Sequence, residues 1–280
     1  MKDNIIFEAD NLEALKELIN MGLEEKIDVI PIDPPYNTNI DYINYIDSFE
    51  GDSFISFMNM RIELAYKLLS PNGVMFIHID DNEVFNLNIL CKKIFGIENV
   101  KLIIWKKNEE IFDFNKKEYK KVHNINVIHE YVIVCFKNFN STNLNYIKQL
   151  KLDNSGKLIE SYAPLTSILE FLGSNFSAKE ELYEIFDGKE VFRTPKPVKL
   201  IKEFIRSASS KNSLVLDFFA GSGTTGQACM ELNKEDNGNR KFILVNNIEN
   251  NICKTVLIPR INKVIEKFGF NETFRFISLY

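Results

Sequence analysis

The sequence predicts an α/β fold in which a mostly parallel, doubly wound sheet carries helices on both faces. Three observations support this prediction. Short apolar runs that end in turn or polar residues recur along the chain, as they do in buried parallel strands. Stretches with apolar residues at three- and four-residue spacing lie between several of these runs, and a glycine-rich turn joins one run to a following helix.

Six apolar runs are predicted as strands. They cover residues 5–7, 28–32, 74–79, 131–134, 214–216 and 242–245. Helical spacing of apolar residues predicts helices over 12–21, 54–69 and 84–95, and a further helix runs from the glycine turn to Leu232. The tetrapeptide Ser70-Pro71-Asn72-Gly73 is a stop signal between the second helix and the third strand.

The stretch from about Phe139 to Glu180 breaks this rhythm, because it is richer in Asn, Ser and Lys and lacks a clear alternation of strand and helix. We therefore expect a single domain over residues 1–280 with a small insertion at 138–180. The 280 residues are 45% hydrophobic, which is enough to bury one sizeable core.

Composition excludes several classes of protein. Acidic residues interrupt the N-terminal segment where a signal peptide needs an apolar stretch, and no apolar run reaches membrane-spanning length, so we expect a cytoplasmic protein with no membrane partner. Four widely separated cysteines form no Cys-x-x-Cys motif and have no clustered His beside them, so we expect neither a metal site nor disulfides.

The net charge of -5 argues mildly against a nucleic-acid partner, but two segments are locally basic. One contains Lys106, Lys107, Lys116, Lys117, Lys120 and Lys121, and the other contains Arg193, Lys196, Lys199, Lys202 and Arg206. Solvated helix faces and loops explain each segment, taken alone, as well as phosphate contacts do.

A first motif, Asp33-Pro34-Pro35-Tyr36, directly follows the strand that ends at Ile32. Consecutive prolines have a fixed φ and no N–H group, so the Asp33 carboxylate and the Pro34 carbonyl form a rigid pair of acceptors. Two acceptors on the N–H bonds of an adenine amino group would favour a pyramidal nitrogen whose lone pair points at an electrophile. Tyr36 offers a flat face for an extruded base. The alternative is a strand-to-loop turn without chemistry.

A second motif covers residues 217–226, Asp-Phe-Phe-Ala-Gly-Ser-Gly-Thr-Thr-Gly, and follows the strand at 214–216. Glycines at a strand-to-helix turn let the backbone approach a ligand closely, and the start of the helix favours a negative or polar group. The spacing also matches the G-x-G-x-x-G pattern of dinucleotide folds, although Asn246 and Asn247 stand where such a fold needs an acid. A nicotinamide-dependent dehydrogenase therefore remains an alternative at this point.

Both motifs lie at the carboxyl ends of predicted strands, which is where open α/β sheets bind ligands. A crevice at a switch point of the sheet would bring them together. A sulfonium bound near Gly221 could then present its methyl group to a base held at Asp33, without a metal or a covalent intermediate.

These residues resemble the adenine-N6 branch of the amino-methyltransferases, in which the target-side motif precedes the cofactor-side motif (the beta class). Similarity to the modification subunits of type III restriction-modification systems extends over most of the chain outside residues 139–167. The resembling segments are 9–15, 32–38, 76–83, 129–131, 192–197, 217–226 and 240–245.

The resemblance implies a Rossmann-like methyltransferase fold with permuted motif order, S-adenosyl-L-methionine as cofactor, and double-stranded DNA with a flipped adenine as substrate. It implies catalytic roles for Asp33, Pro34, Pro35 and Tyr36. It implies cofactor contacts for Asp10, Asp33, Thr194, Lys196, Asp217, Phe219, Ala220, Gly221, Ser222, Gly223, Thr224 and Asn246. Among these, Thr194 and Lys196 would lie near the cofactor's carboxylate, and Asp10 near its adenine. Asp rather than Ser at position 33 points to adenine over cytosine.

Two departures from the family pattern leave alternatives open. Asn246 stands where many relatives carry a ribose-binding Glu, which predicts weaker cofactor affinity because an amide lacks charge assistance. The candidate target-recognition segment, 138–180, is short. The chain is thus expected to be an active enzyme of a restriction-modification system or an orphan enzyme, or else a non-catalytic partner of one. A homodimer and a complex with a restriction subunit are both compatible with the resemblance.

Overall fold

A computed structural model describes residues 3–38, 47–49, 53–108 and 125–280. The strands are β1 Asn4–Glu8, β2 Ile27–Ile32, β3 Leu69–Ile79, β4 Val100–Lys106, β5 His129–Phe136, β6 Ile147–Leu152, β7 Leu158–Ala163, β8 Ile168–Leu169, β9 Leu214–Asp217, β10 Lys241–Asn246 and β11 Phe274–Ser278. The helices are α1 Asn11–Asn20, α2 Ser53–Leu68, α3 Val84–Phe95, α4 Asn175–Ile185, α5 Val198–Ala208, α6 Thr224–Asp236 and α7 Ile258–Phe268.

Nine of these strands form one sheet in the order β11-β1-β10-β9-β2-β3-β5-β4-β8. The strands from β11 to β3 run parallel, whereas β5 is antiparallel to both of its neighbours. The predicted α/β class with a mostly parallel sheet is therefore confirmed. Strands β4, β8 and β11 were not among the six that the sequence pattern predicts.

Helices cover both faces of the sheet, because alternate residues of each strand point to opposite sides. Ile6 packs in one buried cluster with α5, α6 and α7, and its neighbour Phe7 packs in a second cluster with α1, α2 and α3. This two-sided burial is what makes the inner strands continuously apolar. It also leaves the carboxyl ends of the strands as the place where polar side chains can gather.

The predicted stop signal at residues 70–73 lies inside a strand rather than before one. β3 begins at Leu69, directly after α2, and pairs with Ile27; the pairing then resumes at Val74 opposite Val29. The four intervening residues form an irregularity in the register. A Cβ atom on Gly73 would come within 2.9 Å of the Ile27 carbonyl oxygen, so this backbone approach requires glycine.

The segment 138–180 contains a β-hairpin, formed by β6 and β7, and the short strand β8 that pairs with β4 at the edge of the main sheet. The hairpin is anchored to α5, because the Lys148 N–H donates to the Glu203 carboxylate (2.7 Å) and the Asn145 amide donates to the Arg206 and Ser209 carbonyls. The division of the chain into one domain with an insertion stays a prediction.

Over the described ranges, none of the helices combines the length and apolarity that a membrane crossing requires. Cys91, Cys135, Cys229 and Cys253 are buried free thiols.

Candidate active site

The two motifs identified in the sequence lie side by side. β2 and β9 are adjacent parallel strands, with Val29 opposite Val215, so Asp33 and Asp217 emerge at the same edge of the sheet. A cavity of about 570 Å³ opens between the two loops. Its lining includes the predicted site residues Asp10, Asp33, Pro34, Pro35, Tyr36, Thr194, Lys196, Asp217, Phe219, Ala220, Gly221, Ser222, Thr224 and Asn246.

Gly223 is the one predicted site residue that does not line this cavity. Its φ of 88° lies in the left-handed region, and a Cβ atom would meet the Leu257 side chain at 3.4 Å. Gly223 therefore allows the left-handed turn before α6, whereas the contact with Leu257 would be ordinary for a Cβ atom. Gly221, with a φ of 48°, does line the cavity, and a Cβ atom there would meet the Phe192 ring at 3.2 Å.

The first motif is held by a network of charged and hydroxyl groups. The Tyr36 hydroxyl lies 2.8 Å from Asp33 Oδ1 and 2.9 Å from Glu130 Oε2, so it can donate to either carboxylate. The Lys196 ammonium donates to Asp33 Oδ2 (2.9 Å) and to the Tyr36 hydroxyl oxygen (2.8 Å). Its nitrogen is 3.4 Å from Glu130 Oε2.

Glu130 stabilises the charges of this network. It is 4% exposed at the start of β5, and its other oxygen lies 3.4 Å from the Lys107 ammonium. Burial would raise the pKa of Glu130, but Lys196 and Lys107 lower it to about 2. Burial would likewise lower the pKa of Lys196, but Asp33 and Glu130 raise it above its ordinary value. Two cations and two carboxylates thus balance one another on this side of the cavity.

The resemblance implies that Lys196 lies near a carboxylate of the cofactor, and this stays a prediction. Within the chain, its ammonium contacts Asp33, Tyr36 and Glu130. Thr194 lines the same cavity.

Asp217 occupies the opposite side, at the end of β9. It is 5% exposed, and its carboxylate accepts hydrogen bonds from the Thr225 hydroxyl (2.6 Å) and the Phe219 N–H (3.0 Å). In the part of the chain that the structure describes, it has no cationic partner. Burial raises the pKa of Asp217 to about 7, although the hydrogen bonds from Thr225 and Phe219 lower it.

The hydroxyl groups of the glycine turn are tied to Arg260, a fully buried residue of α7. Arg260 Nη1 donates to the Ser222 and Thr224 hydroxyl oxygens, both at 2.8 Å, and Nε donates to the Gln227 amide oxygen at 3.0 Å. Burial lowers the pKa of Arg260 to about 10. The guanidinium therefore remains charged at neutral pH behind the cavity wall.

Asn246 and Asp10 line the cavity at the ends of β10 and β1. The Asn246 amide nitrogen donates to the Gly221 carbonyl at 2.9 Å, which ties β10 to the glycine turn. Asp10 caps α1 by accepting from the Leu12 N–H at 2.9 Å, and it lies 3.3 Å from Arg61. Both side chains thus have structural contacts in addition to facing the cavity.

Comparison with known proteins places the chain in a family. The model of the N6/N4 methyltransferases, described as DNA methylase, matches residues 27–257. This span is most of the chain and includes both motifs. The chain belongs to this DNA methylase family.

Individual relatives of this chain point to the same family. The Mod subunit of the type III restriction-modification enzyme StyLTI of Salmonella typhimurium is 29% identical over 369 residues, covering 96% of this chain and 55% of that subunit. The DNA adenine methyltransferase YhdJ of Escherichia coli is 26% identical, covering 82% and 75% of the two chains. TTHA0409 of Thermus thermophilus, solved in complex with S-adenosyl-L-methionine, is 17% identical with a TM-score of 0.59 and shows the same fold over 98% and 99% of the chains.

The chain spans between 55% and 58% of the length of three type III Mod subunits that it matches. The region matched to the StyLTI subunit is 369 residues long, which exceeds the 280 residues of this chain, so that relative carries additional residues inside the matched region. The resemblance to Mod subunits is confirmed. The match to a methylase family leaves the dehydrogenase alternative without support.

Motif analysis missed two residues that shape the cavity: Glu130, which lines it, and Arg260, which lies behind its wall. Glu130 occurred only within a resembling segment, and its one local signal is an acid directly before an apolar strand. Arg260 carries no local signal, because its contacts with Ser222 and Thr224 arise from the packing of α7 on the glycine turn.

The two basic segments predicted from the sequence have different surroundings in the structure. Lys107 lines the cavity, and Lys106 lies 3.2 Å from Glu170. Lys116, Lys117, Lys120 and Lys121 lie outside the described residues. In the second segment, Lys202 and Arg206 form ion pairs with carboxylates, at 2.7 and 2.5 Å from Glu235, so α5 is largely neutralised.

Proposed function

We propose that this chain is a site-specific DNA methyltransferase that transfers a methyl group from S-adenosyl-L-methionine to the N6 nitrogen of adenine. The adjacency of β2 and β9 carries the proposal, because it places the Asp33 loop and the Asp217 loop in one cavity. Membership of a DNA methylase family supports the same reaction class. Because the chain spans little more than half of the Mod subunits it matches, its activity, substrate and partners are all proposed rather than transferred.

The cavity fits the cofactor in size and in charge. A volume of about 570 Å³ is ordinary for a site that binds a small molecule. Asp217 is a buried carboxylate without a cation beside it among the described residues, and a ligand with an ammonium group and a sulfonium would supply the missing positive charge. When bound, S-adenosyl-L-methionine supplies a methyl group on an electrophilic sulfur.

The chain's own residues hold and orient the target base. The Asp33 carboxylate and the Pro34 carbonyl accept the two N–H bonds of the amino group, and the two prolines keep these acceptors in a fixed geometry. Tyr36 provides the ring against which the base stacks, and its hydroxyl is fixed by Asp33, Glu130 and Lys196. We assign the target as adenine because position 33 is Asp, whereas the resemblance associates Ser with cytosine.

A duplex substrate requires extrusion of the target adenine and contacts to the phosphates on either side. We assign these contacts to Lys107, which lines the cavity, to the exposed Arg193, which lies between the lining residues Phe192 and Thr194 in sequence, and to Lys106, Lys116 and Lys117. The relatives named as Mod subunits suggest a restriction-modification system as the setting, with a second copy or a restriction subunit as partner; an orphan enzyme is the alternative.

Sequencing that detects N6-methyladenine tests this proposal. Genomic DNA from a methylation-deficient host that expresses the unmutated protein should carry the mark at one short sequence, and the Asp33→Ala variant should leave the DNA unmarked. The fold of both proteins is checked by circular dichroism. A folded, unmutated protein that binds S-adenosylhomocysteine and leaves both adenine and cytosine unmodified contradicts the proposal.

A non-catalytic partner of another methyltransferase is the second candidate. It is favoured by Asn246, which replaces a charged residue, and by the additional residues that the StyLTI subunit carries inside the matched region. Co-expression with a longer Mod subunit decides between the two: the second candidate requires methylation only in the pair, and methylation that survives Asp33→Ala in this chain.

A further inference from the structure

Arg260 is a buried cation whose contacts differ from those of the other buried arginines, Arg61, Arg206 and Arg240, each of which lies beside a carboxylate. It is 0% exposed, and within the described residues it forms no ion pair at 4.0 Å or less; its Nη2 atom has no hydrogen-bond partner there. Arg240 is nearly as buried, at 3% exposed, but lies 2.8 Å from the Asp236 carboxylate. Burying a charge without a carboxylate beside it lowers the stability of the folded protein, so the burial of the Arg260 guanidinium indicates a further role for this residue.

The charge of Arg260 is compensated only indirectly. The Gln227 amide oxygen accepts from Arg260 Nε, while the Gln227 amide nitrogen donates to Glu181 (2.9 Å) and Glu231 (3.0 Å). Gln227 thus separates the guanidinium from these two carboxylates. The remaining hydrogen bonds of Arg260 run toward the cavity, to Ser222 and Thr224.

These two hydrogen bonds determine what the hydroxyl groups can do. Each oxygen uses a lone pair to accept from Arg260, so each hydroxyl keeps its own proton for donation. The protons have only long hydrogen bonds within the chain, from Thr224 to the Lys196 carbonyl at 3.4 Å and between the two hydroxyls at 3.5 Å, and a closer acceptor would replace these. Both residues line the cavity, and Thr224 is the first residue of α6, where backbone N–H groups have no partner within the helix. Two donor hydroxyls, a helix start and a buried cation behind them together form a site that favours an anion.

The resemblance implies a contact between Lys196 and the cofactor's carboxylate, but Lys196 is already paired with two carboxylates of the chain. Its ammonium is 2.8 Å from Asp33 Oδ1 and 3.4 Å from Glu130. The cofactor's amino-acid end carries a carboxylate that must find donors inside the same cavity.

The resemblance already implies that Ser222 and Thr224 contact the cofactor; we propose that Arg260 is the residue that positions and polarises their hydroxyl groups, so that both donate to the carboxylate of the cofactor's amino-acid end. This inference rests on the proposed function, since it assigns a subsite for the same cofactor. Arg260 acts through Ser222 and Thr224 and does not itself contact the ligand.

Calorimetry with two ligands tests this assignment. S-adenosylhomocysteine carries the carboxylate, and its decarboxylated analogue lacks only that group. The unmutated protein should bind S-adenosylhomocysteine about tenfold or more tightly than the analogue, because charge-assisted hydrogen bonds to a carboxylate are among the stronger ones. In Arg260→Met this preference should fall to within about twofold, with little change in the affinity for the analogue.

Matched variants separate positioning from a general structural role. Arg240→Met removes an equally buried guanidinium, and it should leave the preference between the two ligands unchanged. Arg260→Lys keeps the charge and should recover part of the preference. If Arg260→Met does not fold, the double variant Ser222→Ala with Thr224→Val is measured instead, and it should lose the same preference.

The outcomes are distinguishable. Equal weakening of both ligands in Arg260→Met, or an unchanged preference in either the Arg260 or the double variant, overturns the carboxylate subsite and leaves the proposed function standing. A folded, unmutated protein that binds neither ligand nor S-adenosyl-L-methionine overturns the proposed function, and the subsite with it.

Discussion

Two carboxylates that end neighbouring strands, Asp33 and Asp217, have opposite electrostatic surroundings. Asp33 lies 2.8 Å from the Lys196 ammonium, and Glu130 shares that cation with it. Asp217 is more deeply buried and is held only by a hydroxyl and a backbone N–H among the described residues. Burial raises the pKa of both groups, to about 7 for Asp217, whereas Lys196 opposes the rise at Asp33.

The difference indicates how the two sides of the cavity are completed. On the proposed target side, the chain supplies both signs of charge, so the proposed clamp for the base is assembled before any ligand arrives. On the proposed cofactor side, the chain supplies an isolated carboxylate, and we expect the positive charge to come from the ligand. Substitutions on the two sides should therefore affect methyl transfer and cofactor binding to different extents.

The largest effect is expected at the preassembled clamp. Asp33→Asn replaces one acceptor oxygen by a donor amide, so the rate of methyl transfer should fall about a hundredfold to a thousandfold. The dissociation constant of S-adenosylhomocysteine should change by no more than about threefold, because Asp33 already has its cation within the chain. Single-turnover methylation and calorimetry measure the two quantities. A comparable loss of cofactor affinity would show that the two sides are not independent.

Asp217→Asn should have the opposite signature. Removing the isolated carboxylate should weaken S-adenosylhomocysteine binding by roughly ten- to a hundredfold, since the ligand's ammonium loses its counter-charge. Below a pH of about 7, binding to the unmutated protein should require release of a proton from Asp217, so its affinity should fall as the pH is lowered from 8 to 6. The Asp217→Asn variant should lack this dependence. Calorimetry in two buffers of different ionisation enthalpy detects the released proton.

The Asp217→Asn variant should also change how the free energy of unfolding depends on pH. Because burial raises the pKa of Asp217 in the folded chain to about 7, the folded protein holds a proton that the unfolded chain releases above about pH 4. The contribution of Asp217 to the free energy of unfolding therefore falls as the pH rises from about 4 to about 7. Asp217→Asn should be more stable than the unmutated protein at pH 8 by about 1 to 3 kcal/mol, and the gain should vanish near pH 4 in urea titrations. A less stable variant at pH 8 would contradict the unpaired state of this carboxylate.

A moderate effect is expected for Glu130→Gln. The variant removes the second negative charge beside Lys196 and leaves the Tyr36 hydroxyl a neutral acceptor, so Lys196 should bind Asp33 more tightly and the clamp should become less available to the base. Methylation should slow by about tenfold, whereas the affinity for S-adenosylhomocysteine should stay within about twofold. Fluorescence of 2-aminopurine at the target position of a DNA duplex reports whether base extrusion is the affected step. A purely structural Glu130 would shift both measurements together.

The smallest effect is expected for Asn246→Glu. Restoring a charged acceptor should raise the affinity for S-adenosylhomocysteine by about threefold, because hydrogen bonds from ligand hydroxyls to a carboxylate are stronger than those to an amide. The gain is limited because the substitution removes the hydrogen bond to the Gly221 carbonyl. Asn247→Glu is a matched control at the neighbouring position. No gain, or a loss, would mean that the link to the glycine turn matters more than the charge.

The central strands and the meeting of the two motifs could be predicted from sequence. Residues 28–32 and 214–216 are apolar runs followed at once by polar motifs, and the rule for parallel sheets places such motifs at one edge. Strands β4 and β11 could not be predicted in this way. They lie toward the edges of the sheet, and the burial pattern of β11 is largely exposed, so no continuous apolar run marks it.

The charged contacts of the site could not be predicted from the sequence for a different reason. Lys196 contacts Asp33, which is 163 positions away, and Arg260 reaches Ser222 across the packing of α7 on the glycine turn. Local patterns report periodicity within an element, and they do not report which face of one loop meets another. The resemblance supplied the identity of Lys196 as a site residue but not its partner.

The order in which the strands occupy the sheet bears on how the protein is made. Val29 pairs with Val215, and β1 lies between β10 and β11, which come from the last part of the chain. During synthesis, β2 and β3 leave the ribosome long before β9. The backbone groups of β2 that pair with β9 therefore stay unpaired until the residues of β9, which begins at Leu214, have been made. Such distant pairings slow folding and expose a template for aggregation. We therefore expect the yield of this protein in cells to depend on chaperones that bind unfinished chains.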